Sequence, residues 1–439
     1  MTRIDKPVTI VGAGLAGCEA AWQLVSRDIP VKLIDMKPAK YSPAHKMEGF
    51  AELVCSNSLK AEQMTNASGL LKAEMRALNS LILSAAEASR VPAGGALAVD
   101  RDLFSHRITQ TLKQHPLVTF ESRLVDEIPD GPAIIATGPL TDPALTAAIE
   151  KLPGAKSLHF FDAAAPIVTA ESLNMDKVFR ASRYERGSDY LNCPMTEAEY
   201  NAFYDALAGA ELAELHDFEK KLVFEGCLAV EILASRGRQT LAFGPLKPVG
   251  LVDPRTGREP YAVVQLRQEN EAGTMYNLVG FQTRLKWGEQ KRVFSMIPGL
   301  ENAEFVRYGV MHRNTYLNGP DMLGANYALK GDPMIRFAGQ LSGVEGYMES
   351  TASGLVAAIG LSCALRGKPE PDFTGRTILG ALARHVSTPT ANFQPMNANY
   401  GILDPLETRV KGKRNRYEKL SERAVNVLTE VITQNELRA

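Results

Sequence analysis

The sequence predicts an α/β protein: a parallel-sheet domain, discontinuous along the chain, with a smaller α+β domain inserted into it. Three observations carry this. The apolar run Val8-Thr9-Ile10-Val11 turns through Gly12-Ala13-Gly14-Leu15-Ala16-Gly17 into helical spacing, then into a second apolar run closed by Asp35. A strand-like Ile335-Arg336-Phe337-Ala338 followed by Gly339-Gln340-Leu341-Ser342-Gly343 repeats that strand-to-glycine-turn pattern some 300 residues later. Between them, from about 155 to 300, acidic helical stretches alternate with strand-like runs. The expected division is therefore 1–154 and 301–439 for the two parts of the first domain and 155–300 for the insertion.

The elements follow from local pattern. Short β-branched runs without polar alternation, at Val8–Val11, Val31–Ile34 and Ala133–Ala136, suit strands buried on both faces of a parallel sheet. Cys18–Ser26 and Asp100–Leu112 have helical spacing, and 48–88 mixes a loop with one or two helices. In the insertion, Thr196–Leu215 reads as helix, and Tyr261–Leu266 and Tyr276–Phe281 as strands. A helix rich in small residues spans Ser350–Ala364, and a charged one Arg409–Arg438.

Composition sets limits. The chain has 439 residues, 49 Lys and Arg against 50 Asp and Glu, and 45% apolar residues. That excludes a globally basic nucleic-acid binder while leaving room for a local basic patch. No apolar leader follows the N-terminal methionine, and Ala352–Leu365 is too short and too rich in Gly and Ser for a membrane span, so a cytoplasmic protein without membrane contact is expected. The five cysteines, at 18, 55, 193, 227 and 363, form no CxxC pair, which argues against disulfides or a structural metal; no metal site is expected. Cys18 and Cys363 fall on packing helices, and Cys193 in a loop-like Asn192-Cys193-Pro194.

The glycine spacing has a mechanical reason. Gly12 permits a tight turn, Gly14 lets backbone approach a pyrophosphate, and Gly17 lets helix and strand pack closely. The anion then lies on a helix N-terminus with its free N–H groups. Asp35, 18 residues after Gly17, stands where a carboxylate accepts from a ribose hydroxyl. Two features favour FAD over NAD as the bound dinucleotide. Ile134-Ile135-Ala136-Thr137-Gly138 resembles the second nucleotide-contact motif of flavoproteins with two dinucleotide-binding domains, and Phe337-Ala338-Gly339-Gln340 resembles their flavin-contacting C-terminal motif. The first domain is thus expected to be an FAD-binding, Rossmann-like one, with Gly12, Ala13, Gly14, Leu15, Ala16, Gly17, Asp35, Thr137, Gly138, Gly339, Gln340 and Gly343 at the cofactor.

With these pieces in place the chain resembles the folate- and FAD-dependent tRNA (uracil-5-)-methyltransferases. The resemblance runs through Val11–Pro38, Phe50–Ser58, Phe224-Glu225-Gly226-Cys227-Leu228, Gly309–Thr315 and Phe337–Gly354. The two cysteine blocks are not general flavoprotein motifs, so the likeness is specific. Ala229 replaces a usual proline and Asp35 a common glutamate; both changes are conservative for the chemistry. The family implies transfer of the methylene of 5,10-methylenetetrahydrofolate to carbon 5 of the T-loop uridine of tRNA, and its reduction to methyl with electrons from NADH or NADPH.

That chemistry needs a nucleophile at carbon 6 of uracil, to make carbon 5 reactive, and a base for the carbon 5 proton. By resemblance Cys227 is the nucleophile, and Cys55 the second thiol, as base or as holder of the methylene between steps. His312 is a candidate to stack on the folate's pteridine ring, against the alternative of a hydrogen-bonded core histidine. Lys411, Lys413, Arg414 and Arg416 form the densest basic cluster and are candidates for tRNA contact, against the alternative of a solvated face diluted by Glu418 and Glu422. Tyr417 beside them either stacks on a base or is structural. The competing readings are an FAD enzyme of the wobble uridine, for whose extra helical C-terminal domain 439 residues leave no room, a plain NAD(P)H-dependent flavin oxidoreductase, and a tRNA chaperone that merely carries FAD.

Overall fold

A computed structural model describes residues 4–155, 157–183, 187–213, 228–309, 311–390 and 393–437, with 159–163 and 311–313 described as backbone only. The strand Val8–Val11 (β1) leads through the glycine turn into helix Leu15–Val25 (α1) and strand Val31–Asp35 (β2). These strands lie in a six-stranded sheet ordered Ala328–Leu329, Asp332–Phe337, Ala133–Ile135, β1, β2, Val118–Ser122. Every neighbouring pair is parallel except the edge hairpin strand Ala328–Leu329. Asp332–Phe337, from the far end of the chain, pairs with Ala133–Ile135, so the sheet is discontinuous in sequence. The α/β class expected from the glycine turns is the one observed.

A second six-stranded sheet is built mainly from the intervening chain, in the order Phe179–Arg180, Leu191–Met195, Ala262–Gln268, Met275–Leu278, Ile167–Thr169, Phe305–Arg307. Its pairs are antiparallel. It takes in Phe305–Arg307, beyond the boundary expected at 300, because that strand pairs with Ile167–Thr169. A two-stranded antiparallel ribbon, Ser157–Ala163 with Met311–Leu317, carries the chain out to this sheet and back.

Asn192-Cys193-Pro194, expected as a loop, is instead strand. Leu191, Cys193 and Met195 recur at period two and are all essentially buried, and the side chain of Asn192 donates to the carbonyls of Phe179 and Ala181. The helix expected over Thr196–Leu215 is Glu197–Ala208, held by a reciprocal Thr196–Glu199 capping box and ending at Gly209. The C-terminal helix runs Lys413–Gln434, shorter at both ends than expected.

The small-residue helix is longer than expected, Tyr347–Leu365. Its length and apolar composition would suit a membrane span, yet most of it is buried inside the protein. It lies on α1, and at Gly354 it meets backbone directly: a Cβ there would sit 2.1 Å from the carbonyl oxygen of Ala16. Gly354→Ala therefore forces backbones apart, and we expect a loss of about 1–3 kcal/mol, the usual cost of overpacking, read as a lowered urea midpoint. An unchanged midpoint would show that the helices do not meet this closely.

Candidate functional site

A cleft with about 1140 Å³ of space opens at the C-terminal ends of β1, Ala133–Ile135 and Asp332–Phe337, where ligands of open α/β sheets bind. Gly12, Gly14, Leu15, Ala16, Asp35, Thr137, Gly138, Gly339, Gln340 and Cys55, all singled out from the sequence, line it. Gly12 has φ +104°, and a Cβ there would lie 2.4 Å from Ala136 O; one on Gly17 would lie 1.8 Å from Gly12 O. By contrast, a Cβ on Gly14 would meet nothing within 4 Å, which leaves open space over the start of α1. The N-cap of α1, Gly14, supplies no side-chain hydrogen bond, so the first N–H groups of the helix remain for an anion.

Asp35 secures this turn. One of its oxygens accepts the N–H of Ala13 at 2.6 Å and the other the N–H of Lys37 at 2.8 Å, with lone pairs left for a hydroxyl. Ala13 is thus a turn residue behind the cleft wall. Gly17 is a packing residue. Gly343 also lies outside the lining: a Cβ there would lie 2.4 Å from the ring of Phe393, so its need for glycine comes from packing and from φ +96°.

The Cys55 loop is braced on every side. Tyr347, in the cleft wall, accepts the N–H groups of Cys55 at 2.7 Å and Ser56 at 3.1 Å, and burial pushes its hydroxyl pKa up. Buried Arg267, on Ala262–Gln268 of the second sheet, donates to Asn57 Oδ1 at 2.8 Å and Ser56 Oγ at 2.7 Å. Arg101 donates to the carbonyl of Leu53 at 2.8 Å and pairs with Glu269 at 2.9 Å. Asn57, fully buried, donates to Val99 O and Gln268 O. Sequence reasoning missed Tyr347, Arg101 and Arg267. Tyr347 is 292 residues from Cys55, and no local pattern links them. It also missed Lys37, whose buried ammonium donates to Met47 O and Gly49 O, and His45, which shares a 2.5 Å hydrogen bond with Ser42 and whose pKa is lowered by burial.

The remaining candidates fall elsewhere. Cys227 lies outside the described residues; the chain resumes at Leu228, and Ala229 caps the helix Val230–Ser235. His312 is on the ribbon strand opposite Asp162, two residues before Asn314 of the cleft wall, and its side chain is outside the described residues. Lys411, Lys413, Arg414 and Arg416 are all exposed where the C-terminal helix begins, and none lines the cleft. Arg414 pairs with Glu418 at 3.0 Å. Tyr417 stacks on Tyr400, 4.1 Å between centroids, which gives it a structural role. Cys18, Cys193 and Cys363 are buried. Among the described residues no three His, Cys, Asp or Glu side chains converge as a metal site requires.

The family model described as "Glucose inhibited division protein A" matches residues 7–369. The methylenetetrahydrofolate–tRNA-(uracil-5-)-methyltransferase TrmFO of Acetivibrio thermocellus is 57% identical over 430 residues, covering 97% of this chain and 99% of that one. Its namesake from Desulfitobacterium hafniense is 58% identical over 426 residues, covering 96% and 98%. The chain belongs to this methyltransferase family. Among solved structures, GidA of Aquifex aeolicus superposes with a TM-score of 0.69 at 13% identity, over 98% of this chain and 75% of that one, which speaks for the fold alone. End-to-end identity to the methyltransferases leaves the wobble-uridine and plain-oxidoreductase readings without support.

Asp35 provides the test of the cleft. Asp35→Ala frees the Ala13 and Lys37 amides that shape the turn, so flavin absorbance per purified protein should fall at least about tenfold, the scale of one lost charge-assisted hydrogen bond. Undiminished absorbance would mean that the glycine turn holds no dinucleotide.

Proposed function

We propose that the protein transfers the methylene of 5,10-methylenetetrahydrofolate to carbon 5 of the T-loop uridine in tRNA and reduces it to methyl, with FAD bound in the cleft and NADH or NADPH as the electron source. The reading rests on one observation: identity of 55–58% over nearly the whole chain to enzymes of that name. The cleft suits FAD on its own terms. Backbone approaches closely at Gly12 and Gly17, open space lies over Gly14, and a carboxylate with spare lone pairs stands at Asp35. We assign 1–154 and 301–439 to the FAD-binding domain and 155–300 to the inserted one, with Phe305–Arg307 the strand by which the former's second part joins the latter's sheet. We place the enzyme in the cytoplasm.

In this mechanism the start of α1 and the Gly12–Gly17 turn hold the pyrophosphate, and Asp35 the ribose, with Thr137, Gly138, Gly339 and Gln340 closing on the cofactor. Bound there, reduced FAD supplies the electrons that turn methylene into methyl. The Cys227 thiolate adds to carbon 6 of uracil; carbon 5 then bonds to the methylene carbon as the first of its two bonds to folate nitrogen breaks. The carbon 5 proton passes to a base as the second carbon–nitrogen bond breaks, and reduction of the resulting exocyclic methylene to methyl, by two electrons and a proton, expels the thiolate from carbon 6 and restores the ring. Cys55 serves as that base or holds the methylene between steps. Arg101 and Arg267 secure its loop, and the charge of Arg267 interacts with Cys55. We assign the pteridine to His312, and the tRNA backbone to Lys411, Lys413, Arg414 and Arg416.

Transfer of label from methylene-labelled folate to tRNA, with and without FAD, tests the reaction. Cys227→Ala should lose at least about 10³-fold in methyl transfer, the scale of removing a covalent nucleophile, while keeping its flavin band; full activity would remove Cys227 from the mechanism. Neutralising Lys411, Lys413, Arg414 and Arg416 together should weaken tRNA binding and reduce the slope of log K against log salt by up to roughly 3. An unaltered slope would move the RNA surface elsewhere.

A further inference from the structure

The second sheet carries a feature the reaction leaves unused. Phe305, Tyr308 and Trp287 form a ladder of nearly parallel rings: Phe305 to Tyr308 at 5.1 Å and 12°, and Tyr308 to Trp287 at 5.6 Å and 13°. Its inner end leans on buried Phe294, 6.4 Å from Phe305. At the outer end Trp287 is 63% exposed, and Tyr308 is its one ring partner among the described residues. A lone exposed apolar residue is ordinary. An indole at the end of an ordered stack, with one face covered and the other open, is a platform.

The platform is rigid and stands beside the cleft. Gln290, one turn after Trp287 and fully buried, both accepts the N–H of Gly309 and donates to its carbonyl, each at 2.8 Å, which ties the helix of Trp287 to the segment of Tyr308. A Cβ on Gly309 would lie 2.8 Å from the carbonyl of Ala164, and Ala164 is in the cleft wall. The side chain of Arg307, next to Tyr308, makes no hydrogen bond or ion pair among the described residues, although it is largely withdrawn from water; its charge is repelled by Arg101 and also interacts with Tyr347, Cys55 and Glu52.

We propose that the open face of Trp287 stacks an unpaired base of the RNA substrate, with Arg307 meeting a phosphate of the same strand. Every base has a π-face, and aromatic platforms beside positive charge are how proteins grip splayed nucleotides. Extruding the target uridine unstacks its neighbours, and a platform beside the cleft recovers that lost stacking. The inference rests on the methyltransferase reading.

The chain has two tryptophans, so Trp22→Phe leaves Trp287 as the sole indole reporter. Trp22 is half-buried and spends its N–H on the carbonyl of Asn79. Titrating that variant with a tRNA transcript, or with a T-arm hairpin containing the target uridine, should quench indole fluorescence saturably; a fully paired duplex of equal length should not. Trp287→Ala should raise KM for tRNA roughly 5- to 100-fold, the range of alanine substitution at base-stacking aromatics, with kcat within about twofold and Trp287→Phe recovering most of the loss. Quenching by the duplex as strong as by the hairpin, or a KM unchanged in Trp287→Ala, would overturn the platform. If the wild type methylates no RNA uridine, the proposed function itself fails; methylation by a protein whose Trp287 does not respond to that RNA sinks this inference alone.

Discussion

The cleft depends on how near the backbone of α1 can come to its neighbours. On one side its third glycine rests on the carbonyl of Gly12, and on the other Ala16 rests on Gly354 of the long buried helix. Neither contact leaves room for a methyl group. Together they set the direction in which α1 points its unbonded N–H groups, and hence where an anion finds them. The Asp35 carboxylate then fixes the turn from the front by taking the N–H of Ala13. Dispersion and close packing hold the helix, while one charge holds the loop that starts it.

The second dependency is electrostatic and crosses between sheets. The loop of Cys55 has little regular structure of its own, and its polar groups are satisfied from outside: Arg101 at Leu53, Tyr347 at Cys55 and Ser56, Arg267 at Ser56 and Asn57. Arg267 is buried, and burial lowers its pKa; it remains charged because guanidinium starts so high. A buried guanidinium is costly unless its donors are met, and here Asn57 and Ser56 meet them.

How much of this the sequence revealed divides by range. The parallel strands, the glycine turn and its closing acid are local patterns, visible because each residue's reason lies within about thirty positions. The helices beginning at Thr196 and Asp100 were visible from local spacing, and in the structure both residues cap their own helices. Asn192-Cys193-Pro194 misled because proline and asparagine are turn residues by composition, whereas here their alternating apolar neighbours and the sheet on either side decide. The packing of Gly343 against Phe393 was not legible beside the cofactor motif, since Phe393 lies 50 residues further along. The Cys55 block was legible by likeness to a family. Its supports were not, since Tyr347 and Arg267 reach it across more than 200 residues of chain. The aromatic ladder left no trace either: Trp287 and Tyr308 are 21 positions apart with no period between them.

The donation from Asn57 to the carbonyl of Gln268 has a mechanical meaning. It stitches the cysteine loop to an interior strand of the inserted sheet, and the Arg101–Glu269 pair adds a second stitch close by. The ribbon Ser157–Ala163 and Met311–Leu317 is a further connection between the two sheets. The loop that carries the thiol is thus held by both sheets at once, so a change in how the sheets meet would reach the backbone under the sulfur.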